Sequence, residues 1–299
     1  MIHPIDEAEL QREFFERDAK KPAQEQDRQP GLREPMQPKP DCGEERYEGS
    51  GKLKDHVVII TGGDSGIGRA AAIAFAREGA DVVIAYLDEH DDARDTSSWV
   101  EKAGRRCVLH AGDVGDEAFC TRIVEETVEE FGRLDVVVNN AAEQHMVEDP
   151  RAITRDQVER TFRTNIFSFF SLTNAALEHM QEGGTIINVT SVVAYAGHDQ
   201  LIAYATTQGA IVTYTRSMAS ALLDRRIRVN AIAPGPVWTP LIPATFPADE
   251  VGSFGSEFPM GRAAQPVEMA PAFVYLASTD STFMTGQVLH LNGGVIVGG

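Results

Sequence analysis

The sequence predicts an α/β protein built on a doubly wound, seven-stranded parallel sheet with helices on both faces. Short apolar runs alternate with helical patterns over most of the 299 residues. The runs are rich in β-branched side chains on both faces, as a sheet buried on both sides requires. The first run also ends in a glycine-rich turn that leads straight into a helix. No internal repeat and no second core is visible, so residues 52–299 read as one domain behind an arm spanning 1–51.

The arm is interrupted by Pro4, Pro22, Pro30, Pro35, Pro38 and Pro40, with charges in most of the gaps. Only Ile5 to Ala19 has an amphipathic helical pattern, with Leu10, Phe14 and Phe15 as its apolar side. Such a segment has too little apolar surface to fold alone, and leaving Phe14-Phe15 in water is costly. The expectation is an arm docked on its own domain or on a partner subunit.

In the domain, His56 to Ile60 is the first strand, and Ile67 to Glu78 is a helix closed by Gly79. Asp81 to Ala85 and Cys107 to His110 give the second and third strands. A helix from Asp116 to Phe131 leads to the fourth, Leu134 to Asn139. Thr154, followed three residues later by Gln157, has the form of a capping box and opens a long helix running towards Met180. Thr185 to Thr190 is the fifth strand, Tyr204 to Leu223 a helix, and Arg228 to Ala233 the sixth strand. A helix from Pro266 to Ala277 and a seventh strand, Gln287 to Leu291, complete the series.

Composition narrows the function. The formal charge of −18 repels polyanions, which argues against nucleic acid and anionic membrane as partners. Cys42, Cys107 and Cys120 are too few and too irregular for a disulfide framework or a zinc site, and fit a reducing compartment. Cys107, in a strand, reads as a buried inert thiol. Met1-Ile2-His3-Pro4 begins no secretory pattern, and no apolar run is long enough to span a bilayer. The expectation is a cytoplasmic protein.

The turn Thr61-Gly62-Gly63-Asp64-Ser65-Gly66-Ile67-Gly68 carries the first functional signal. Glycine permits positive φ and close backbone approach to a pyrophosphate, while the helix amino end supplies free N–H donors. Its place between an apolar strand and a helix makes it a Rossmann-type dinucleotide site. Four glycines in seven residues would only weaken a turn that held nothing.

The spacing Thr-Gly-x-x-x-Gly-x-Gly resembles the short-chain dehydrogenase/reductase family. Gly112-Asp113-Val114, Asn139-Asn140-Ala141-Ala142 and Pro234-Gly235-Pro236-Val237-Trp238-Thr239 resemble further motifs of that family, in the right order. The similarity runs from about Lys52 to the carboxyl end. Together with the arm it resembles one branch with a proline-rich extension, often labelled glucose or ribitol dehydrogenase-like. The resemblance implies that Asp113 accepts from the adenine amine. It also implies that Val237 (through its backbone) and Thr239 hold the nicotinamide amide in the loop begun by Pro234 and Gly235.

Charge bears on the form of the cofactor. A 2′-phosphate needs Arg or Lys near the turn or the end of the second strand. Those places hold Asp64, Ser65, Tyr86, Leu87, Asp88 and Glu89, with Arg69 the nearest cation. NAD is therefore favoured over NADP, although Tyr86 stands where the family's acidic discriminator is expected.

The resemblance also supplies a catalytic set. Hydride exchange between a carbinol and nicotinamide needs a partner for the hydroxyl proton. In this family a tyrosine fills that role, with a lysine four residues later lowering its pKa, a serine orienting the substrate oxygen and an asparagine supporting a water chain. These roles map onto Tyr204, Ser191 (thirteen residues earlier) and Asn165. The lysine position is Gln208, and no lysine occurs after Lys102. A cation about 4 Å from a phenolate is worth roughly 4 kcal/mol at an effective dielectric near 20. That is about three pKa units, and a glutamine amide cannot replace it.

Glu143, Gln144, His145, Tyr195, His198 and Trp238 lie where relatives receive substrate, and the two histidines have no ligand partners at metal spacing. Leu241, Ile242, Phe246, Phe254 and Phe258 suggest a lid over the substrate. The expected activity is interconversion of a small alcohol or polyol with its carbonyl, in a homotetramer as relatives form. The alternative is a dinucleotide-binding scaffold or sensor with a disabled proton relay.

Overall fold

The computed structural model describes residues 21–297 together with Glu9, Arg12 and Phe14. The Rossmann-type order begins with β1 (Val57–Thr61), α1 (Gly66–Arg77), β2 (Asp81–Tyr86), α2 (His90–Lys102) and β3 (Cys107–Ala111). It continues with α3 (Glu117–Phe131), β4 (Val136–Asn139), α4 (Arg155–Phe162), a π-helical segment (Arg163–Phe167) and α5 (Ser168–Leu177). Then follow β5 (Thr185–Val189), α6 (Val193–Ala196), α7 (Ile202–Ala221), β6 (Arg228–Pro234), α8 (Ala248–Ser253), α9 (Ala270–Ala277) and β7 (Val288–Leu291).

The seven strands form one parallel sheet in the order β3-β2-β1-β4-β5-β6-β7. Alternation along each strand feeds two cores. Val58, Ile60, Val82, Ile84, Val136 and Val138 pack with Ala70 to Ala76 of α1 and Phe273 and Leu276 of α9. Ile59, Val83 and Val137 point the other way, onto Phe119 and Ile123 of α3, Leu172 of α5 and Ala219 of α7. Each large apolar side chain buried there contributes about 1.5–3 kcal/mol. Among the described residues no helix is long and apolar enough to cross a membrane.

Three elements differ from the sequence reading. The helix α2 was not expected, because its buried stripe of Ala93, Thr96, Ser97 and Val100 is mostly small and polar. Asp91 and Asp92 in its first turn and Lys102 in its last complement the helix dipole. The long helix expected from Thr154 towards Met180 breaks at Arg163–Phe167 and ends at Leu177. Thr154 does cap its start, with Oγ1 accepting from Gln157 N at 3.2 Å. The short α8 lies inside the segment read as a lid.

The described part of the arm lies along its own domain. Trp238 Nε1 donates to Pro38 O at 2.8 Å, Asp41 N to Gln265 Oε1 at 2.8 Å, and Gln26 N to Pro243 O at 2.7 Å. Phe14 is buried between the guanidinium groups of Arg46 and Arg262. Leu10, Phe15 and the other residues of the Ile5 to Ala19 segment, apart from Glu9, Arg12 and Phe14, fall outside the described residues.

Glu78, at the end of α1, fastens the junction between arm and domain. It accepts from Tyr47 OH at 2.8 Å and from the N–H groups of Ser50 and Lys52, both at 2.9 Å. Burial would raise its carboxyl, but these donors outweigh burial and hold it below the usual range. Glu78→Ala is expected to cost about 2–4 kcal/mol in urea unfolding, since bonds to a charged acceptor are the stronger kind. A depressed carboxyl stabilises above its unfolded pKa and loses that contribution as pH falls. The gap between wild type and variant should therefore narrow below about pH 4.

Candidate active site

A cavity of about 630 Å³ opens at the carboxyl ends of the strands, beside β1 and β4 where the strand order reverses. Open α/β sheets bind ligands at that point. The turn after β1 forms one wall. Gly62 and Gly66 have φ of +64° and +51°, which glycine adopts without strain. Gly68 is constrained by space instead: a Cβ there would sit 2.0 Å from Gly62 O and 2.6 Å from Asn140 Nδ2. The turn is pinned from β4. Thr61 Oγ1 accepts from the N–H groups of Asn140 and Ala141 at 2.9 and 3.0 Å. Asn140 Nδ2 donates to the carbonyls of Thr61 and Gly62 at 2.9 and 3.1 Å.

This cradle presents Asp64, Ser65, Gly66 and Ile67 to the cavity at the amino end of α1. The absent Cβ at Gly68 lets the start of α1 pack onto Gly62 O. The amino end of α1, with Gly66 and Ile67, faces the cavity, so the turn fits a pyrophosphate. Asp113 and Val114 line the next part of the wall, and Asp113 Oδ1 accepts from Gly115 N at 2.7 Å. Pro234, Gly235, Val237 and Thr239 line it from the other side, with Asn140 and Ala141 between. Gly235 is obligatory there, because a Cβ would lie 2.7 Å from Asn292 Cα.

At the end of β2 the wall consists of Tyr86, Leu87 and Glu89, facing Asp64. Burial pushes the Asp64 carboxyl up to about 6. Burial, then the hydrogen bond with Asp88, pushes Glu89 up to about 7. The sequence reading found no cation here, and the fold supplies one from the arm. The Arg28 guanidinium pairs with Asp88 and with Glu89, the latter at 3.1 Å. Arg69, the nearest cation in sequence, is fully buried on Glu44, Asp95 and Thr96.

Ser191 and Tyr204 both line the cavity, and Ser191 acts on the Tyr204 phenol. Asn165 and Gln208 stand behind that wall. Asn165 lies in the π-helical segment, a form of helix defect frequent at functional sites. Its amide accepts from Glu143 N and donates to Glu143 O, both at 2.9 Å, and also donates to Thr207 Oγ1 at 3.1 Å. Gln208 is buried, with Nε2 3.4 Å from Thr207 Oγ1, and its backbone carbonyl accepts from Thr190 Oγ1 at 2.8 Å. The Tyr204 phenol is pushed up to about 12 by burial; Ser191 opposes that only in part, and no cation contributes.

The substrate wall is divided. Glu143, Gln144 and His198 line the cavity, as do Leu241, Ile242, Phe246, Phe254 and Phe258 of the expected lid. His145, Tyr195 and Trp238 do not. Val237 and Thr239 face the cavity, so the alternating chain turns Trp238 the other way, where it is fully buried under Lys21 Nζ. Tyr195 packs edge-on against His290, and His145 Nε2 lies 3.5 Å from Glu143 Oε1. Among the described residues no group of three His, Cys, Asp or Glu could hold a metal.

Sequence reasoning missed Gln29, Pro30 and Arg160, which also line the cavity. Gln29 Nε2 donates to Gln144 O at 2.6 Å and Ala244 O at 3.1 Å, tying the arm to the loop after β4 and to the lid. Arg160 Nε donates to Glu143 Oε2 at 3.1 Å. Burial would raise the Glu143 carboxyl, but His145 and Arg160 outweigh it and hold the group low. No local pattern marks contacts that span more than a hundred residues, as those of Gln29 do.

The family described as Enoyl-(Acyl carrier protein) reductase matches residues 62–296. The oxidoreductase YhdF of Bacillus subtilis (strain 168) is 60% identical over 271 residues, covering 91% of this chain and 94% of that protein. The glucose and ribitol dehydrogenase homolog 2 of Arabidopsis thaliana is 51% identical over 285 residues, covering 92% and 98%. The crystal structure of a short chain dehydrogenase from Burkholderia cenocepacia J2315 in complex with NADP superposes with a TM-score of 0.77 at 27% identity, covering 81% and 98%. With these likenesses over most of its length, the chain belongs to the short-chain dehydrogenase/reductase family and is an oxidoreductase of that kind.

Proposed function

We propose that this protein reduces a small aldehyde or ketone to its alcohol, and slowly performs the reverse, using a nicotinamide dinucleotide. The observation that carries this reading is the Ser191–Tyr204 pair on the wall of the cavity that the glycine turn opens. The cofactor, when bound, supplies or accepts the hydride. Gly62 to Gly68 would hold its pyrophosphate, Asp113 and Val114 its adenine, and the loop from Pro234 to Thr239 its nicotinamide. Ser191 orients the substrate oxygen, and Tyr204 exchanges a proton with it.

Direction follows from the proton. A phenol pushed up to about 12 keeps its proton at neutral pH, and a carbonyl being reduced consumes one. Alcohol oxidation needs the phenolate, which Gln208 does nothing to stabilise. Reduction is therefore the less impaired direction. Polar Glu143, Gln144 and His198 opposite apolar Leu241, Phe246 and Phe254 suit a small hydroxylated carbonyl, in keeping with the polyol named for the plant relative.

Both cofactor forms have support. Asp64 and Glu89 suit a free ribose hydroxyl and favour NAD, while Arg28 and the NADP of the Burkholderia structure favour the phosphorylated form. We further infer a homotetramer in the cytoplasm: Phe167 and Phe170 expose about half their surface, as a subunit interface would use, and the three cysteines are free thiols.

The test is a turnover screen over aldehydes, ketones and polyols with NADH, NADPH and their oxidised forms, beside direct cofactor titration. Reduction faster than oxidation at neutral pH is the expected result. Tight cofactor binding with no turnover of any substrate would instead establish the scaffold or sensor role, which the uncharged Gln208 favours.

A further inference from the structure

The arm reaches the dinucleotide cavity, and one of its residues carries charge to a decisive place. In open α/β sheets an acid after the second strand takes the ribose 2′-hydroxyl, whereas a nearby arginine accommodates a 2′-phosphate. Here the residues after β2 that line the cavity are Leu87 and Glu89, with Tyr86 at the strand end and Asp64 opposite. Asp92 lies close behind, itself raised mainly by burial. Without a cation this corner would repel a phosphate.

Arg28 stands at the back of that corner: it does not itself line the cavity but pairs with Glu89, which does. Its guanidinium bonds Asp88 and Glu89 together, and its Nε donates to Pro30 O at 2.9 Å. The next residue, Gln29, anchors the segment by bonds to Gln144 and Ala244, and Gln29 and Pro30 are themselves part of the cavity wall. The Arg28 side chain is 39% exposed, against 1% for Glu89, so the guanidinium caps a buried carboxyl and keeps one side open to solvent. The Burkholderia structure aligns over 98% of its own length with 81% of this chain, so about a fifth of this chain has no counterpart there.

We propose that Arg28 determines cofactor specificity, neutralising Asp88 and Glu89 so that the site accepts a phosphorylated ribose, with the arm thereby forming part of the dinucleotide site. The inference rests on the cavity being the dinucleotide site, as proposed above. Asp88 and Glu89 hold the guanidinium when the ribose is unphosphorylated, and a 2′-phosphate competes for its exposed side.

The experiment is titration of the full-length protein with NADH, NADPH, 5′-AMP and 2′-AMP, for the wild type, Arg28→Ala, Arg28→Lys and Glu89→Gln. Arg28→Ala is expected to weaken NADPH and 2′-AMP about tenfold or more, and NADH and 5′-AMP by less than about threefold. Arg28→Lys should retain part of the preference because it keeps the charge without the planar fork. Glu89→Gln should move the NADPH-to-NADH affinity ratio upward. Equal weakening of both cofactors by Arg28→Ala would overturn the proposal and make Arg28 a structural clamp; an unchanged ratio would overturn it too. If the wild type binds neither NADH nor NADPH, the dinucleotide reading itself falls. Should Arg28→Ala fail to fold, the Glu89→Gln ratio decides by itself, and an unmoved ratio there counts against the proposal.

Discussion

Gln208→Lys is expected to raise the rate of alcohol oxidation at neutral pH by about 10²–10³. A cation about 4 Å from the Tyr204 phenolate contributes roughly 4 kcal/mol at an effective dielectric near 20, or about three pKa units. The phenol is now pushed up to about 12, so the phenolate population at pH 7 should rise about a thousandfold. A less basic phenolate is also a poorer proton acceptor, which takes back part of that gain. The sign of the pH effect is fixed: oxidation rises with deprotonation, so the basic limb of the pH–rate profile moves to lower pH. Carbonyl reduction already has its proton in place and should gain much less. The ammonium would enter a buried position beside Thr190 and Thr207, where desolvation lowers its own pKa and costs stability. A lower Tm together with a higher oxidation rate is the expected combination. An unchanged pH profile in both directions would show that the missing charge is not what limits the enzyme.

How far the sequence could be read depended on the range of the interactions involved. The strands were legible because a buried parallel sheet needs apolar residues on both faces, and Val57 to Ile60 or Val136 to Val138 have no other use. The glycine turn was legible because a positive φ at Gly62 and the absent Cβ at Gly68 are local requirements. The helix α2 was hidden by a stripe of small polar residues, Thr96 and Ser97, buried where Arg69 of α1 meets Thr96 and Cys107 of β3 meets Ser97. The π-helical break at Asn165 is fixed by Glu143 and Thr207, which reach it from other segments. Arg28 follows the same logic. Its sequence neighbours are a proline-rich polar stretch, and only folding across sixty residues brings it to Asp88 and Glu89. Charge inventories by motif position therefore missed the cation that sits there.

Tyr204→Phe is the second variant with a large expected effect, and its value lies in combination with the first. Removing the phenolic hydroxyl leaves the aromatic ring and the cavity wall in place, so cofactor affinity should change little. Turnover in the reductive direction should fall by about 10²–10⁴, the usual contribution of a positioned proton donor. Lysine at position 208 is expected to act on oxidation only through the Tyr204 phenolate. In the Tyr204→Phe background, Gln208→Lys should then add nothing to the rate, and the double-mutant cycle should show an interaction energy close to the whole effect of the lysine. Two residues in contact with a shared partner couple in this way, whereas independent contributions would add. If Gln208→Lys accelerates the Tyr204→Phe variant as much as the enzyme that keeps its tyrosine, the lysine acts on cofactor binding and the phenol is not its target. Measured with the cofactor affinities of all four proteins, the cycle separates a site that binds from a site that turns over. That separation matters here because the glycine turn and the Ser191–Tyr204 pair are complete while the position behind them is uncharged.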